Sequence, residues 1–198
     1  WSIKKRIKRM FVARELRLKR DLGQHKKFNS EKRKKILIAG SSGLIGTQLS
    51  AFLDTGGHDV WRLVRRKVKP NSNEISWNPD KNELEPQKIE GFDAIIHLGG
   101  AGIGDKRWTK KRKALIVESR KKSTTLLSDT MSKLDKKPEV FIVASAIGYY
   151  GNRGDEELTE ESAPGEGFLT DTVVKWESYA DSARKAGIRV INTRNGIV

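Results

Sequence analysis

The chain has no cysteine and three histidines in 198 residues. Without cysteine there is no disulfide and no thiolate nucleophile, so nothing points to an oxidising compartment, and the cytoplasm is the default expectation. His25, His58 and His97 are scattered, none with a carboxylate or second histidine at ligand spacing, so no metal is expected. Long apolar runs are missing too. The longest, Val140 to Tyr150, is broken by Ser145 and Gly148 and is too short to span a bilayer. The basic start is not followed by an apolar region, so no signal peptide is read.

Basic charge is abundant, with a formal net charge of +15, but it is unevenly spread. Residues 1 to 35 hold 15 Lys+Arg against 3 Asp+Glu, which leaves a net +3 for the remainder. Such a segment can meet nucleic acid or an anionic membrane, or simply be a solvated helix face or connector. No RRM, KH, zinc-finger or aromatic-plus-basic strand signature accompanies it, which argues against nucleic acid.

The rest of the chain is organised around Lys35 to Gly46, KILIAGSSGLIG. Ile36, Leu37 and Ile38 in a row suit a parallel strand buried on both faces. Leu44, Ile45, Leu49, Phe52 and Leu53 then follow near helical spacing, with Gly56-Gly57 as a stop. Strand, glycine turn and helix together predict a dinucleotide site: Gly40 turns the chain, Gly43 lets backbone N–H groups approach a pyrophosphate, and Gly46 packs helix on strand. Ser41, Ser42, Leu44 and Ile45 belong to this turn, whose positive helix end faces the phosphates. The competing reading is a purely structural tight turn.

A helix with Ile3, Ile7, Met10, Phe11, Leu18 and Leu22 along one stripe is expected over Trp1 to Asn29, interrupted near Glu15. Phe28 to Lys34 reads as a linker. A second strand is expected over Asp59 to Val64, with Arg65 and Arg66 at its end and no acid after it. In this arrangement an acid would bind the ribose of NAD and arginine the 2′-phosphate, so NADP is the expected cofactor unless the arginines merely continue a basic surface with Lys67 and Lys69. Pro70 to Gly91 reads as irregular. Asp93 to Leu98 is a third strand, ending in Gly99-Gly100-Ala101-Gly102, where Leu98 to Ala101 can lie against a ligand. Thr109 caps a helix running to about Leu134, with Leu115, Leu126, Leu127 and Met131 inward. Val140 to Ala144 is a further strand, and Ser145, Tyr149 and Tyr150 follow it as candidates to orient or protonate a carbonyl; packing is the alternative for the tyrosines. An acidic, glycine-rich loop over 152–168, a helix from about Leu169 to Ala186 and a strand from Arg189 complete the alternation.

GSSGLIG, GGAGIGDKRW, ESR, SAIGYYGNRGDEELTE, KWE and TRNGIV together resemble the short-chain dehydrogenase/reductase superfamily. More narrowly, they resemble its atypical epimerase-like branch, the NAD-dependent epimerase/dehydratase-like proteins, over about Lys34 to Val198. Phe11 to His25 is similar to the closing helix and connector of a START/Bet v 1-like domain. The resemblance implies an α/β fold, a Rossmann-like doubly wound parallel sheet preceded by a basic amphipathic helix, and a nicotinamide dinucleotide in its cleft. It implies an oxidoreductase or epimerase acting on an unknown small carbonyl, hydroxyl or sugar-nucleotide substrate, the alternative being a non-catalytic NADP(H)-binding module. One departure is plain. The superfamily's Tyr-x-x-x-Lys has no counterpart here, because the matching helix offers Leu169 and Val173. A phenol role then needs another cation, for which Lys106 and Arg153 are the loop candidates. Residues 1 to 33 are expected to be the basic helix and linker that close a preceding domain, with residues 1 to 28 in contact with it, and residues 34 to 198 to form a dinucleotide domain that continues past Val198.

Overall fold

The computed structural model describes residues 2–28 and 33–196. The elements in chain order are α1 (Ser2–Lys27), β1 (Lys35–Ala39), α2 (Leu44–Thr55), β2 (Asp59–Val64), β3 (Glu74–Ser76), β4 (Ala94–His97), α3 (Lys110–Ser132), β5 (Val140–Ala146), α4 (Phe168–Ser178), α5 (Asp181–Lys185) and β6 (Arg189–Asn195). All six strands run parallel in the order β3-β2-β1-β4-β5-β6. The order reverses between β1 and β4, so a crevice opens there at the carboxyl ends of the strands.

Continuous apolar runs build the middle of this sheet. Leu37, Ile38 and Ala39 are fully buried because helices cover both faces. On one side Ile36, Ile38 and Ile96 meet Leu49 and Leu53 of α2. On the other, Leu37, Ile95, Phe141 and Val143 form one cluster with Leu127 and Met131 of α3, Trp176 of α4 and Ala183 of α5. Thr109 caps α3 as expected, its hydroxyl accepting the Arg112 N–H at 3.2 Å.

Five expectations are corrected. α1 runs without interruption, and Glu15 pairs with Lys19 at 2.7 Å across one turn instead of breaking it. The stretch from Pro70 to Gly91 contributes the edge strand β3, whose three residues are too few for a readable alternation. Leu115 is half exposed, and Ile116 takes the inward place on α3. The helix expected over 169 to 186 is two helices, broken at Tyr179–Ala180 so that the Ala183 N–H reaches the Ser128 hydroxyl of α3 at 2.8 Å. β5 also extends through Ala146, which places Ser145 inside the strand. Ile3, Ile7, Met10, Phe11, Leu18 and Leu22 of α1 are exposed, while His25 stacks on Phe52 of α2 with ring centroids 4.3 Å apart. The expected linker falls partly on residues 29–32, outside those described.

Candidate functional site

The three glycines between β1 and α2 differ in what holds them. Gly40 has φ +84°, and a Cβ there would sit 2.9 Å from the Gly99 nitrogen. At Gly46 a Cβ would lie 2.2 Å from the Gly40 carbonyl oxygen and 2.7 Å from the Ser41 Cα, so helix and turn touch only through a glycine. Gly43 is different. It is extended, with φ −75° and ψ 176°, and its added Cβ would meet nothing closer than the Gly40 oxygen at 3.4 Å. Protein packing therefore explains Gly40 and Gly46 and leaves Gly43 unexplained. No side chain caps α2 and no acid stands in its first turn, so this helix end is left to an anion.

A cleft of about 880 Å³ opens over this turn. It brings together Gly40, Ser41, Ser42, Arg65, Arg66, Gly99, Gly100 and Ala101 from the expected set. Gly43, Leu44, Ile45, Gly46 and Leu98 are not among its walls: Gly43 precedes α2, Leu44 and Ile45 face outward, Gly46 is buried and Leu98 packs on the core. Lys69, Trp77 and Ser119 line it as well, and sequence reasoning did not single them out for this role.

At the β2 end the two arginines have separate fates. β3 sets Glu74 opposite Arg62 in the sheet, and the Arg66 guanidinium forks onto its carboxylate at 2.5 and 3.0 Å. That bond, with the Lys69 N–H donated to the same carboxylate, holds the Glu74 carboxyl down to about 2. An acid thus does stand at this end of the cleft, brought by a strand the sequence did not announce, and Arg66 neutralises it. Arg65 makes no ion pair among the described residues and lies over the Trp77 ring, 6.0 Å from its centroid.

His97 ends β4 and is fully buried. Its Nδ1 accepts the Gly99 N–H at 3.4 Å, so Nε2 carries the proton and donates to the Ser123 hydroxyl at 2.9 Å, which donates onward to the Ser119 carbonyl. Burial first, then Arg65 and Arg120, pulls the imidazole from 6.5 down to about 3. Above pH 6.5 the ring is neutral folded or unfolded; between 6.5 and about 3 only the unfolded chain takes the proton. Stability is therefore expected to fall on acidification through this window, by up to about 1.4 kcal/mol per pH unit. Urea unfolding at pH 7.5 and 5.0 checks this, with His97→Gln removing most of the slope.

Ser145, Tyr149 and Tyr150 converge on a side chain from the last strand. The Ser145 hydroxyl is buried and donates to Glu177 of α4 at 2.6 Å. Arg194 of β6 forks onto Glu177 at 3.0 and 3.1 Å, donates to the Tyr150 hydroxyl at 2.9 Å and lies 3.5 Å from the centroid of the Tyr149 ring. Glu177 and Tyr150 together raise the Arg194 pKa further above its ordinary value. The cation beside the phenols is thus Arg194 and neither of the loop candidates: Arg153 is bound to Glu156 at 2.7 Å, and no contact joins Lys106 to a tyrosine among the described residues. Leu169 and Val173 of α4 lie under Gly148. Among the described residues no three His, Asp or Glu side chains converge, and no helix is long and apolar enough to cross a membrane.

The chain is similar in sequence and fold to known proteins. An epimerase family protein of Mycobacterium bovis is 40% identical over 163 residues, which are 82% of this chain and 53% of that protein. The solved nucleoside-diphosphate sugar epimerase of Corynebacterium glutamicum superposes with a TM-score of 0.81 and 35% identity over 93% of this chain and 39% of its own. The human epimerase family protein SDR39U1, solved with NADPH, gives a TM-score of 0.67 and 27% identity over 81% of this chain and 52% of its own. The chain spans about half the length of the curated relatives it matches. The NAD dependent epimerase/dehydratase family matches residues 36–196, from the first buried strand to the end of the last, and the chain belongs to that family.

Proposed function

We propose that the chain is the dinucleotide-binding part of an NADP-dependent oxidoreductase or epimerase-like enzyme acting on a small carbonyl, hydroxyl or sugar-nucleotide substrate. The observation that carries the reading is the glycine turn: Gly43 has space that no protein atom claims, at an uncapped helix end beside an arginine without an ion-pair partner. The diphosphate fits over the Gly40 to Gly46 turn, and the 2′-phosphate fits at Arg65 with Lys69 nearby. Of the two arginines expected to read that phosphate, Arg65 takes the larger part, because Arg66 is already engaged by Glu74. The solved NADPH complex of the human relative supports the same choice. Cytoplasmic location belongs to this proposal and rests on the composition without cysteine.

When bound, the nicotinamide supplies or accepts a hydride. Ser145, oriented by Glu177, is the proposed contact to the substrate oxygen. Tyr150 is the proposed proton donor: its oxygen accepts from Arg194, which leaves its own hydrogen for another acceptor. Tyr149 is the second candidate, with its ring against the same guanidinium. The missing helical lysine favours the alternative of a non-catalytic NADP(H)-binding module. NADPH consumption with a panel of aldehydes and sugar nucleotides, in a protein extended to the relatives' length, separates the two. Tyr150→Phe is expected to lower kcat by about a hundred-fold or more with NADPH affinity unchanged. Turnover unaffected in both Tyr149→Phe and Tyr150→Phe would remove the phenols from the mechanism.

Residues 1 to 33 are proposed to close a preceding domain. The structural match to the Corynebacterium protein covers a larger share of the chain than the family match does, so it reaches into this segment.

A further inference from the structure

Arg120 of α3 is 6% exposed and has no carboxylate partner among the described residues. Its Nη1 donates to the carbonyls of Ala101 at 3.1 Å and Ile116 at 3.0 Å, its Cζ lies 4.6 Å from the centroid of the Trp176 ring, and its buried Nε has no hydrogen-bond partner. A buried cation without a counter-ion is costly, and burial together with Arg112 draws this guanidinium down to about 10, which leaves it charged at neutral pH. Its neighbours do not offset it. Arg112 pairs with Asp105 at 3.1 Å and so carries its own anion.

The position of this charge follows from the sheet order. Gly99, Gly100 and Ala101 form one wall of the cleft, and Arg120 stands directly behind them; a Cβ on Gly100 would lie 3.2 Å from its Cζ. Arg65 lies past the end of β2, the glycine turn past β1, and Ser145 on β5. In the proposed pose, with the 2′-phosphate toward Arg65 and the diphosphate on the turn, the strand order would carry the other half of a dinucleotide across Gly99–Ala101 toward β5. Arg120 is therefore a charge without a carboxylate partner behind the wall that would be crossed by the half of the cofactor whose charge changes in the reaction. The oxidised nicotinamide ring is a cation; the reduced ring is neutral.

We propose that Arg120 makes the cleft discriminate between the redox states of the cofactor, favouring NADPH over NADP⁺. The inference rests on the dinucleotide reading given above. It assigns to Arg120 a specificity-determining role through the field behind the loop, with no direct contact to the ring required.

Calorimetric titration of the chain with NADPH and with NADP⁺ tests it. A unit charge acting across one layer of backbone at an effective dielectric near 20 changes affinity on the order of ten-fold. The wild-type chain is expected to bind NADPH about ten-fold more tightly than NADP⁺. Arg120→Met is expected to bring the ratio close to one, and Arg120→Lys to keep it even if both affinities fall. A merely structural role would weaken both nucleotides together and leave the ratio alone, which overturns the proposal. Should Arg120→Met not fold, Arg120→Gln keeps a donor for the Ala101 carbonyl and gives the same comparison. Equal affinities in the wild-type chain overturn the proposal without any variant. Binding without preference defeats this inference alone, whereas binding of neither nucleotide defeats the dinucleotide reading as well.

Discussion

Gly43→Val is expected to leave a folded chain that no longer binds NADPH. The extended backbone at Gly43 accepts any residue, and the added carbon meets only the Gly40 oxygen at 3.4 Å, so the change costs the fold about the 1 kcal/mol of a poorer helix cap. At the N-terminus of α2 the isopropyl group would occupy the space through which backbone N–H groups approach the diphosphate in the proposed pose. Charge-assisted hydrogen bonds contribute about 1.5 to 3 kcal/mol each, so losing even two lowers affinity by about a hundred-fold or more. Gly46→Ala is the contrasting variant: its Cβ collides with the Gly40 carbonyl, and it is expected to unfold the chain without isolating binding. Retained NADPH affinity in a folded Gly43→Val chain would reduce the turn to a structural device. Circular dichroism beside a fluorescence titration gives both readings.

The second large effect is expected at Glu177. This carboxylate is mostly buried, accepts from Ser145 and neutralises Arg194, so Glu177→Ala leaves a mostly buried guanidinium without its anion and a buried hydroxyl without its acceptor. Removing one partner of a buried pair costs about 3 kcal/mol. For a chain of this length that lowers the melting temperature by about 6 to 12 °C. Glu177→Gln keeps an acceptor for Ser145 and is expected to fall between. A melting temperature within about 1 °C of wild type in the alanine variant would mean that solvent already satisfies Arg194.

How much of this was legible depended on whether the signal was local. The buried run Ile36 to Ile38 and the glycines after it lie within one strand-turn-helix unit, with Arg65-Arg66 at the end of the next strand, and their periodicity and spacing carried the fold and the proposed diphosphate site. Glu74, Arg120, Glu177 and Arg194 were not legible as parts of a site. Glu74 reaches Arg66 only because a three-residue strand adds to the sheet edge, and so short a strand has no period to detect. Arg194 lies 44 residues after Tyr150 and meets it through the β5–β6 pairing, which sets Ser145 opposite Arg194. A local search for a cation therefore turned to Lys106 and Arg153, whereas register selected Arg194. Arg120 entered the sequence reading only as the last residue of the ESR stretch, and nothing local to it announces that the fold buries it behind Gly100. Tertiary context also decided the break at Tyr179–Ala180, since the Ser128 acceptor that rewards it belongs to another helix.

The account stands most directly on one comparison, the affinity of the chain for NADPH against NADH by fluorescence titration at fixed salt. Arg65 next to the open cleft, with Glu74 neutralised by Arg66, predicts tighter binding of NADPH by about ten-fold to a hundred-fold, a preference that Arg65→Ala removes. Equal affinities for the two nucleotides, or a preference that survives in Arg65→Ala/Arg66→Ala, would contradict it.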